Sequence, residues 1–349
     1  MGEKKHKLLI IGPTHGVYGG MEAFMIAIAE AAMQWEEYEV RICFKLVKYA
    51  KAEANLINAA EKICDKVDFI DRGSLKLFNI IWWADILHVQ NTPPDVIFTA
   101  KFLAKRIFLT IHNWRRTEKN IHNILWGYAA KCADRRWYNS KFVWDTWEPI
   151  KKSNKSDAFP TVSKFSSGWC APEKRMGFIF LGRWIENKGI EEILRAYALN
   201  NFDVEKYPLT ILGDGPIRPA VLKLKDQLNL QKINIPGFVD AKTKEKLLIS
   251  AKWLLSPANT KEDMGLTPIE ARSVGVPSIV TRDGGLPEAG GPAAFIAEPG
   301  NVDSLAKCMQ RAMVMSDEEY LKRTILAKDS LKGFLRPIEF YRKAFLDKE

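Results

Sequence analysis

The sequence predicts an α/β protein of two doubly wound domains that face one another. Three observations predict it. Short apolar runs of strand length alternate with helical stretches, this strand–loop–helix series occurs twice, and an aperiodic stretch separates the two series. A chain of 349 residues has room for two ordinary domains.

The first series begins with KLLIIGP, a buried strand that ends in a Gly-rich turn. MEAFMIAIAEAAMQW follows with helical apolar spacing and few breakers. EVRICFKLV, VDFID and ADILHVQ read as the next strands, and VIFTAKFLAKR as a helix leading into the strand RIFLTIHN. CADRRWYNSKFVWDTW holds a short strand and helix near the end of this domain, placed at residues 1–160. Residues 149–172, rich in Ser, Lys and Pro, suit an interdomain connection. The second domain, residues 173–330, opens with the strand MGFIFLGRW and the helix ENKGIEEILRAYAL. It continues through YPLTILGDGP, KINIPGFV, AKWLLSPA, VPSIVTRDGG and AAFIAE. Residues 331–349 contain PIEFYRKAFLDKE, a terminal helix expected to pack back against the first domain.

The composition, 47% hydrophobic and 27% charged, is globular, and eleven Trp and eighteen Phe supply buried aromatic packing. The apolar run after MGEKKHK ends within four residues, too soon for a signal-peptide core, and no run reaches the roughly eighteen residues of a membrane span. Five scattered Cys form neither a disulfide framework nor a zinc cluster, so reduced thiols in a cytoplasmic protein are expected. The net charge of +10 is uneven: residues 1–170 carry 25 basic against 18 acidic residues, a net of +7. Within 101–141 stand ten basic residues and two acidic ones. A basic surface beside aromatics can meet an anionic bilayer at the inner face of a membrane, a phosphorylated substrate or nucleic acid, or can have no dedicated partner. No helix-turn-helix, zinc-finger or RNA-binding motif accompanies the charge, which argues against nucleic acid.

Candidate chemistry gathers at the ends of the expected strands, where an open α/β sheet binds ligand. GPTHGVYGGME sets Gly12, Gly16, Gly19 and Gly20 between a strand and a helix. Such a loop can turn backbone N–H groups toward phosphate, or can be an ordinary tight turn. It matches neither the dinucleotide fingerprint nor the P-loop. GRWIENKG offers Arg183 and Lys188, two cations able to hold a diphosphate and neutralise a leaving phosphate, or else two solvated turn residues. In KEDMGLTPIEA, Glu262 falls on a loop and Glu270 in the first turn of a helix beginning near Thr267 or Pro268, with Thr267 suited to the cap. Carboxylates accept paired hydrogen bonds from vicinal hydroxyls, and backbone amides in MGLT can serve a diphosphate. Gly213, Asp214 and Gly215, then Gly284 and Gly285 before Glu288, form further strand-end loops. His112 ends a first-domain strand, where it can bond a sugar hydroxyl or orient a neighbour; His88 has a similar address, and His15 can lie near phosphate. The His and Cys lack zinc-ligand spacing, and neither a DxD pair nor a G-x-S-x-G elbow is present.

In order, GG at 19–20, IHN at 111–113, GRWIENKG at 182–189, GDGP at 213–216, EDMGLTPIE at 262–270 and DGGLPE at 283–288 resemble the large retaining glycosyltransferase family 4. The resemblance covers most of the chain and is strongest from 178 to 300. It implies the GT-B fold, two Rossmann-like domains across a cleft, with the second binding a nucleotide sugar and the first selecting the acceptor. It implies that Arg183 and Lys188 contact the donor diphosphate, aided by backbone at Gly20. Glu270 would hold the ribose, and Glu262 the donor-sugar hydroxyls together with backbone near Met264, Gly265, Leu266 and Thr267. His112 would meet the sugar from the opposite domain, and Phe238 and Val239 would wall the base. Retention of configuration, no cofactor and no metal are implied as well. The expected partners are a nucleotide-diphosphate sugar and a hydroxyl-bearing glycan, lipid-linked or small-molecule acceptor. FPTVSKFSSGW in place of a Pro-Asn-Gly turn and a short first domain depart from the family and bear on the acceptor. A nucleotide-sugar epimerase or sugar phosphorylase of related fold, and an inactive carbohydrate- or nucleic-acid-binding relative, are the alternatives.

Overall fold

The computed structural model describes residues 5–47, 50–71, 74–118, 120–161 and 168–347. Residues 162–167 of the expected connection and Lys119 of the basic stretch lie outside the described residues. The chain divides into two compact units, one of Met1–Ser163 with Leu335–Glu349 and one of Lys164–Phe334.

The first unit holds β1 (His6–Thr14), β2 (Tyr38–Leu46), β3 (Val67–Asp71), β4 (Ile86–Gln90), β5 (Arg106–Ile111), β6 (Arg135–Tyr138) and β7 (Ser156–Ala158). They form a parallel sheet in the order β3-β2-β1-β4-β5-β6-β7. Leu8 to Ile11 are wholly buried because both faces are covered, which is why this strand reads as an unbroken apolar run. Helices α1 (Gly20–Ala32) and α2 (Ala54–Glu61) cover one face. Helices α3 (Leu75–Trp83), α4 (Pro94–Phe102), α5 (Ile121–Cys132) and α6 (Lys141–Trp147) cover the other. The edge strand β7 lies inside the stretch read as connection; three residues, Ser-Asp-Ala, are too few to show an apolar alternation.

The second unit holds β8 (Met176–Leu181), β9 (Leu209–Leu212), β10 (Asn234–Gly237), β11 (Ala251–Ser256), β12 (Ser278–Thr281) and β13 (Phe295–Ala297). Its parallel order is β10-β9-β8-β11-β12-β13. Helices α7 (Ile190–Asn200), α8 (Arg218–Gln227), α9 (Ala241–Ser250), α10 (Leu266–Ser273), α11 (Leu286–Gly290), α12 (Val302–Met313) and α13 (Asp317–Asp329) surround it. Numbered within each unit, the first six strands share the order 3-2-1-4-5-6, so winding reverses between β1 and β4 and between β8 and β11. Loops at the carboxyl ends of those strands border the crevice in which such sheets take ligand.

The last helix, α14 (Glu339–Leu346), belongs to the first unit. Its Tyr341 and Phe345 are buried against Trp137 and Phe108, with ring centroids 5.1 and 5.0 Å apart. His88, expected at a strand end, lies instead within β4 and is fully buried among Phe24, Trp137, Tyr341 and Phe345. Alternation along β4 turns it into the core under α14, where Nε2 meets the Thr110 hydroxyl at 2.8 Å. Burial pushes its imidazole down to about 3, with a smaller contribution from His112.

An imidazole held neutral in the fold makes stability pH-dependent, because below its unfolded pKa the unfolded chain binds a proton that the native state refuses. Stability of the first unit should therefore fall as pH drops below about 6.5, by up to about 1.4 kcal/mol per pH unit for His88. Denaturant unfolding at a series of pH values checks this. His88→Gln keeps a hydrogen-bonding side chain and should flatten the slope; an unchanged slope assigns it elsewhere.

Candidate functional site

In the second unit, the loop after β8 and the loop after β11 meet at the reversal point. The Asn187 carbonyl accepts the Asn259 N–H at 2.9 Å, tying one loop to the other. Across this junction the Lys188 ammonium pairs with the Glu262 carboxylate, and the Thr260 hydroxyl reaches the same carboxylate oxygen at 3.4 Å. Both ion-pair partners keep about a quarter of their side-chain surface exposed, 23% and 25%. Arg183 is exposed on the β8 loop, with no side-chain hydrogen bond or ion pair among the described residues.

Glu262 is placed by a residue that the sequence reading left without a role. The Asp283 carboxylate, buried at the end of β12, accepts the backbone N–H groups of Thr260, Lys261 and Glu262 at 3.1, 3.0 and 2.9 Å. Charge-assisted bonds of this kind hold a loop that has no regular structure of its own. Gly284 and Gly285, expected on a strand-end loop, pack closely against this loop. Gly284 has φ +50°, and a Cβ there would lie 2.0 Å from the Glu262 carbonyl oxygen. The Gly285 N–H donates to that same oxygen at 2.7 Å. Asp283 stood in the DGGLPE motif, but its partners lie more than twenty residues upstream and no local pattern announces them.

The helix after this loop starts earlier than expected. Gly265, left-handed at φ +93°, is the N-cap of α10, so Thr267 and Pro268 are already helical and Glu270 lies in the second turn. Pro268 remains compatible, because the first four helical N–H groups have no partner within the helix. Glu270 accepts the Lys244 ammonium from α9 on both oxygens at 3.2 Å, a partner absent from the sequence expectations. Phe238, 87% exposed, and half-buried Val239 follow β10. Met264 is buried, whereas Leu266 at the start of α10 is exposed. Gly213 lets its loop reach the β8 loop; a Cβ there would lie 1.9 Å from the Gly182 carbonyl oxygen. Asp214 is an exposed partner of Arg218 at 3.3 Å. Glu288, half-buried on α11, offers its carbonyl to Arg272. Arg272, buried on α10, also donates to the Ala289 carbonyl and the Ser330 hydroxyl, each at 2.9 Å, which ties α10 to α11 and to the end of α13. Burial lowers its guanidinium to about 10.

The remaining predicted residues belong to the first unit. Gly19 is the N-cap of α1 and Gly20 its first residue, while Glu22 in the first turn accepts the Thr14 hydroxyl at 2.8 Å. His112 directly follows β5; its Nε2 meets Gln90 Oε1 at 2.9 Å and its Nδ1 meets the Thr161 hydroxyl at 3.3 Å. Because Gln90 Oε1 only accepts, the proton sits on Nε2, and burial pushes the imidazole down to about 4. Near the carboxyl edge of this sheet lies a cavity of about 240 Å³ walled by Trp114, Trp126 and Trp147, with Arg115, Arg116 and the Lys45–Asp95 ion pair. Arg115 lies over the Trp147 ring at 5.6 Å. The basic stretch 101–141 is less of a surface than its composition suggests. Arg136 is buried and paired with Glu148 at 3.0 Å, and Arg106 donates to carbonyls at the end of α14. Among the described residues, no group of three or more His, Cys, Asp or Glu is placed to hold a metal, and no helix is long and apolar enough to cross a membrane.

The family model for glycosyl transferases group 1 matches residues 164–328, just under half of the chain and nearly all of the second unit. The matched stretch contains the Lys188–Glu262 junction, the Asp283 bracket and α10. The chain is similar to N-acetyl-alpha-D-glucosaminyl L-malate synthase of Bacillus anthracis, 28% identical over 143 residues, 40% of this chain and 36% of that protein. The matches to curated relatives span between 28% and 39% of those proteins' length. A glycosyltransferase structure from Rickettsia africae ESF-5 superposes with a TM-score of 0.77 at 18% identity, over 99% of this chain and 100% of that one. Anabaena Alr3699/HepE in complex with UDP-glucose superposes with a TM-score of 0.73 at 14% identity, over 97% of each chain. The two parallel-sheet α/β units have the GT-B fold.

Gly284→Ala forces a Cβ against the Glu262 backbone and should displace the loop while leaving the sheets intact. Crystallography or amide exchange should show residues 260–262 released, with little change in overall secondary structure. Asp283→Asn, which weakens the same three bonds by removing the charge, should act in the same direction at a cost of about 1–3 kcal/mol. Unaltered exchange at 260–262 in both variants would overturn the bracket.

Proposed function

We propose that this chain is a retaining glycosyltransferase moving a sugar from a nucleotide-diphosphate sugar to a hydroxyl of a glycan, lipid-linked or small-molecule acceptor. The observation that carries this reading is the Lys188–Glu262 pair at the reversal point of the second unit's sheet, in the stretch that matches glycosyl transferases group 1, with exposed Arg183 on the same β8 loop as Lys188. A donor of this kind carries what these side chains complement: a diphosphate for cations and vicinal hydroxyls for carboxylates. Arriving phosphates would draw Lys188 from Glu262, leaving the carboxylate to accept donor-sugar hydroxyls. Glu270, held by Lys244 in the free protein, would accept the ribose hydroxyls. The first turn of α10 presents N–H groups and the positive end of its dipole, which suits a phosphate oxygen. Exposed Phe238 at the end of β10 is the candidate wall for the base.

In the proposed reaction, the bond from the anomeric carbon to the diphosphate breaks as the acceptor oxygen bonds to the same face of the sugar. A leaving phosphate oxygen takes the acceptor's proton, so no protein nucleophile is required. Arg183 and Lys188 neutralise the negative charge that grows on the departing diphosphate. Two side-chain cations can serve where a divalent ion serves in other sites, so turnover is expected to survive chelation. The HepE complex contains UDP-glucose, which makes UDP-sugars the first donors to test. The Trp- and Arg-lined cavity of the first unit is the candidate acceptor pocket.

Donor and acceptor screens read by product mass test the reading. An epimerase would alter the donor sugar without an acceptor, and a binding protein would give no turnover. Glu262→Gln should lower kcat/KM about a hundredfold or more, within the range found when one transition-state contact is removed. Glu270→Gln should raise the donor KM with less effect on kcat. Full activity in Glu262→Gln would remove the central assignment.

A further inference from the structure

Helix α3, LKLFNIIWW, is apolar on two sides. Leu77, Ile80 and Ile81 enter the core of the first unit, while Leu75, Phe78 and Trp82, at helical spacing, point outward. Leu75 is 89% exposed and Trp82 67%. The neighbouring α4 repeats the arrangement: Val96, Ile97 and Ala100 face the sheet, whereas Phe98 and Phe102 face out, Phe102 at 83% exposure. On α5, packed beside α4, Ile121, Ile124 and Tyr128 are exposed at the same spacing. A solvated helix keeps its outer face polar, and three adjacent helices that do not form an apolar surface of the kind that marks an interaction site.

We propose that this outer helical layer docks on an anionic lipid bilayer. Charge complementarity selects that occupant. The three helices contain one acid, Asp95, and it is paired with Lys45. Lys105 donates to the Trp82 carbonyl at 2.9 Å, which fixes an ammonium at the backbone of the residue that carries the most exposed indole of the layer. Lys101, on the same α4 turn as Phe102, stands 3.9 Å from the Asp134 carboxylate and keeps a half-exposed side chain that lipid phosphate can reach, and Lys131 lies over the Tyr128 ring at 5.9 Å. Trp and Tyr are suited to the headgroup boundary, and lysines beside them to lipid phosphates. A second copy of this chain fits less well, because a two-fold interface on this face would bring the same lysines toward one another. The layer extends to α3, outside the basic stretch 101–141, and contains none of the candidate donor-site residues.

Co-sedimentation of the full chain tests it, with vesicles of equal parts phosphatidylglycerol and phosphatidylcholine against phosphatidylcholine alone. The wild-type protein should bind the anionic vesicles preferentially and release as salt rises. Trp82→Ser with Phe102→Ser should reduce partitioning about tenfold or more, as should Lys101→Glu with Lys105→Glu, at unchanged melting temperature. Should the first pair lower the melting temperature, Leu75→Ser with Phe102→Ser replaces it. Equal binding to both vesicles, or wild-type binding by the serine variants, overturns the proposal. So does a dimer that the serine variants dissociate in a protein with no vesicle affinity, which would assign the face to a second copy.

Discussion

Three backbone N–H groups, those of Thr260, Lys261 and Glu262, converge on the single carboxylate of Asp283, and the candidate site of the second unit depends on that convergence. The loop between β11 and α10 has no ladder or helix to hold it, and Lys261 sits in the left-handed region at φ +55°. Its shape therefore comes from outside, from a buried acceptor at the end of the next strand and two glycines that let the backbones touch. Once the loop is set, the Glu262 side chain faces Lys188 from the β8 loop, and α10 starts at a defined place. Arg272 then locks α10 onto α11 and the end of α13. The ion pair is the visible feature, and the Asp283 bracket is its cause.

The two units use one topology for different chemistry. Both reverse winding beside their first strand, and both gather functional side chains on loops at the carboxyl ends. In the second unit those loops and the helices that follow them bring cations and carboxylates together as Lys188–Glu262 and Lys244–Glu270, the pairs that the proposed donor's diphosphate and its sugar and ribose hydroxyls would exchange. In the first unit the same edge carries Trp114, Trp147 and Arg115 around a cavity, with His112 bonded to Gln90 and Thr161 and kept neutral by burial. The scaffold explains where the groups stand, and the side chains explain what each unit can bind.

The last helix closes the first unit from the far end of the sequence. Tyr341 and Phe345 complete an aromatic core with Trp137, Phe108 and His88, so this unit cannot be fully packed until the chain has passed through the second. Helix α14 and the α1/α2 layer give one face of its sheet an apolar cover turned inward. On the opposite face, α3, α4 and α5 bury one side and leave an apolar side open, and the two sides of the sheet therefore meet different surroundings.

Much of the fold was legible because parallel strands covered on both faces become unbroken apolar runs, as in LLII of β1 and FIFL of β8. The strand-end glycines and the order of Arg183, Lys188, Glu262 and Glu270 were legible for the same reason: they punctuate those runs. Other features were not. β7 is too short to carry a period, and Gly265 moved the start of α10 ahead of Thr267 by adopting a left-handed cap. Lys244 finds its partner 26 residues away and Asp283 its partners 21, 22 and 23 residues away, at separations set only by sheet packing. His88 looked like a strand-end group until the pleat turned it inward, and the outward Leu75, Phe78 and Trp82 read in sequence much like the inward Leu77, Ile80 and Ile81. The sequence by itself determined the alternation of elements and the kinds of side chain at the strand ends, because these follow from local periodicity. Only the tertiary structure decided which of them meet and which apolar faces stay uncovered, because contact and burial depend on residues far apart in the chain.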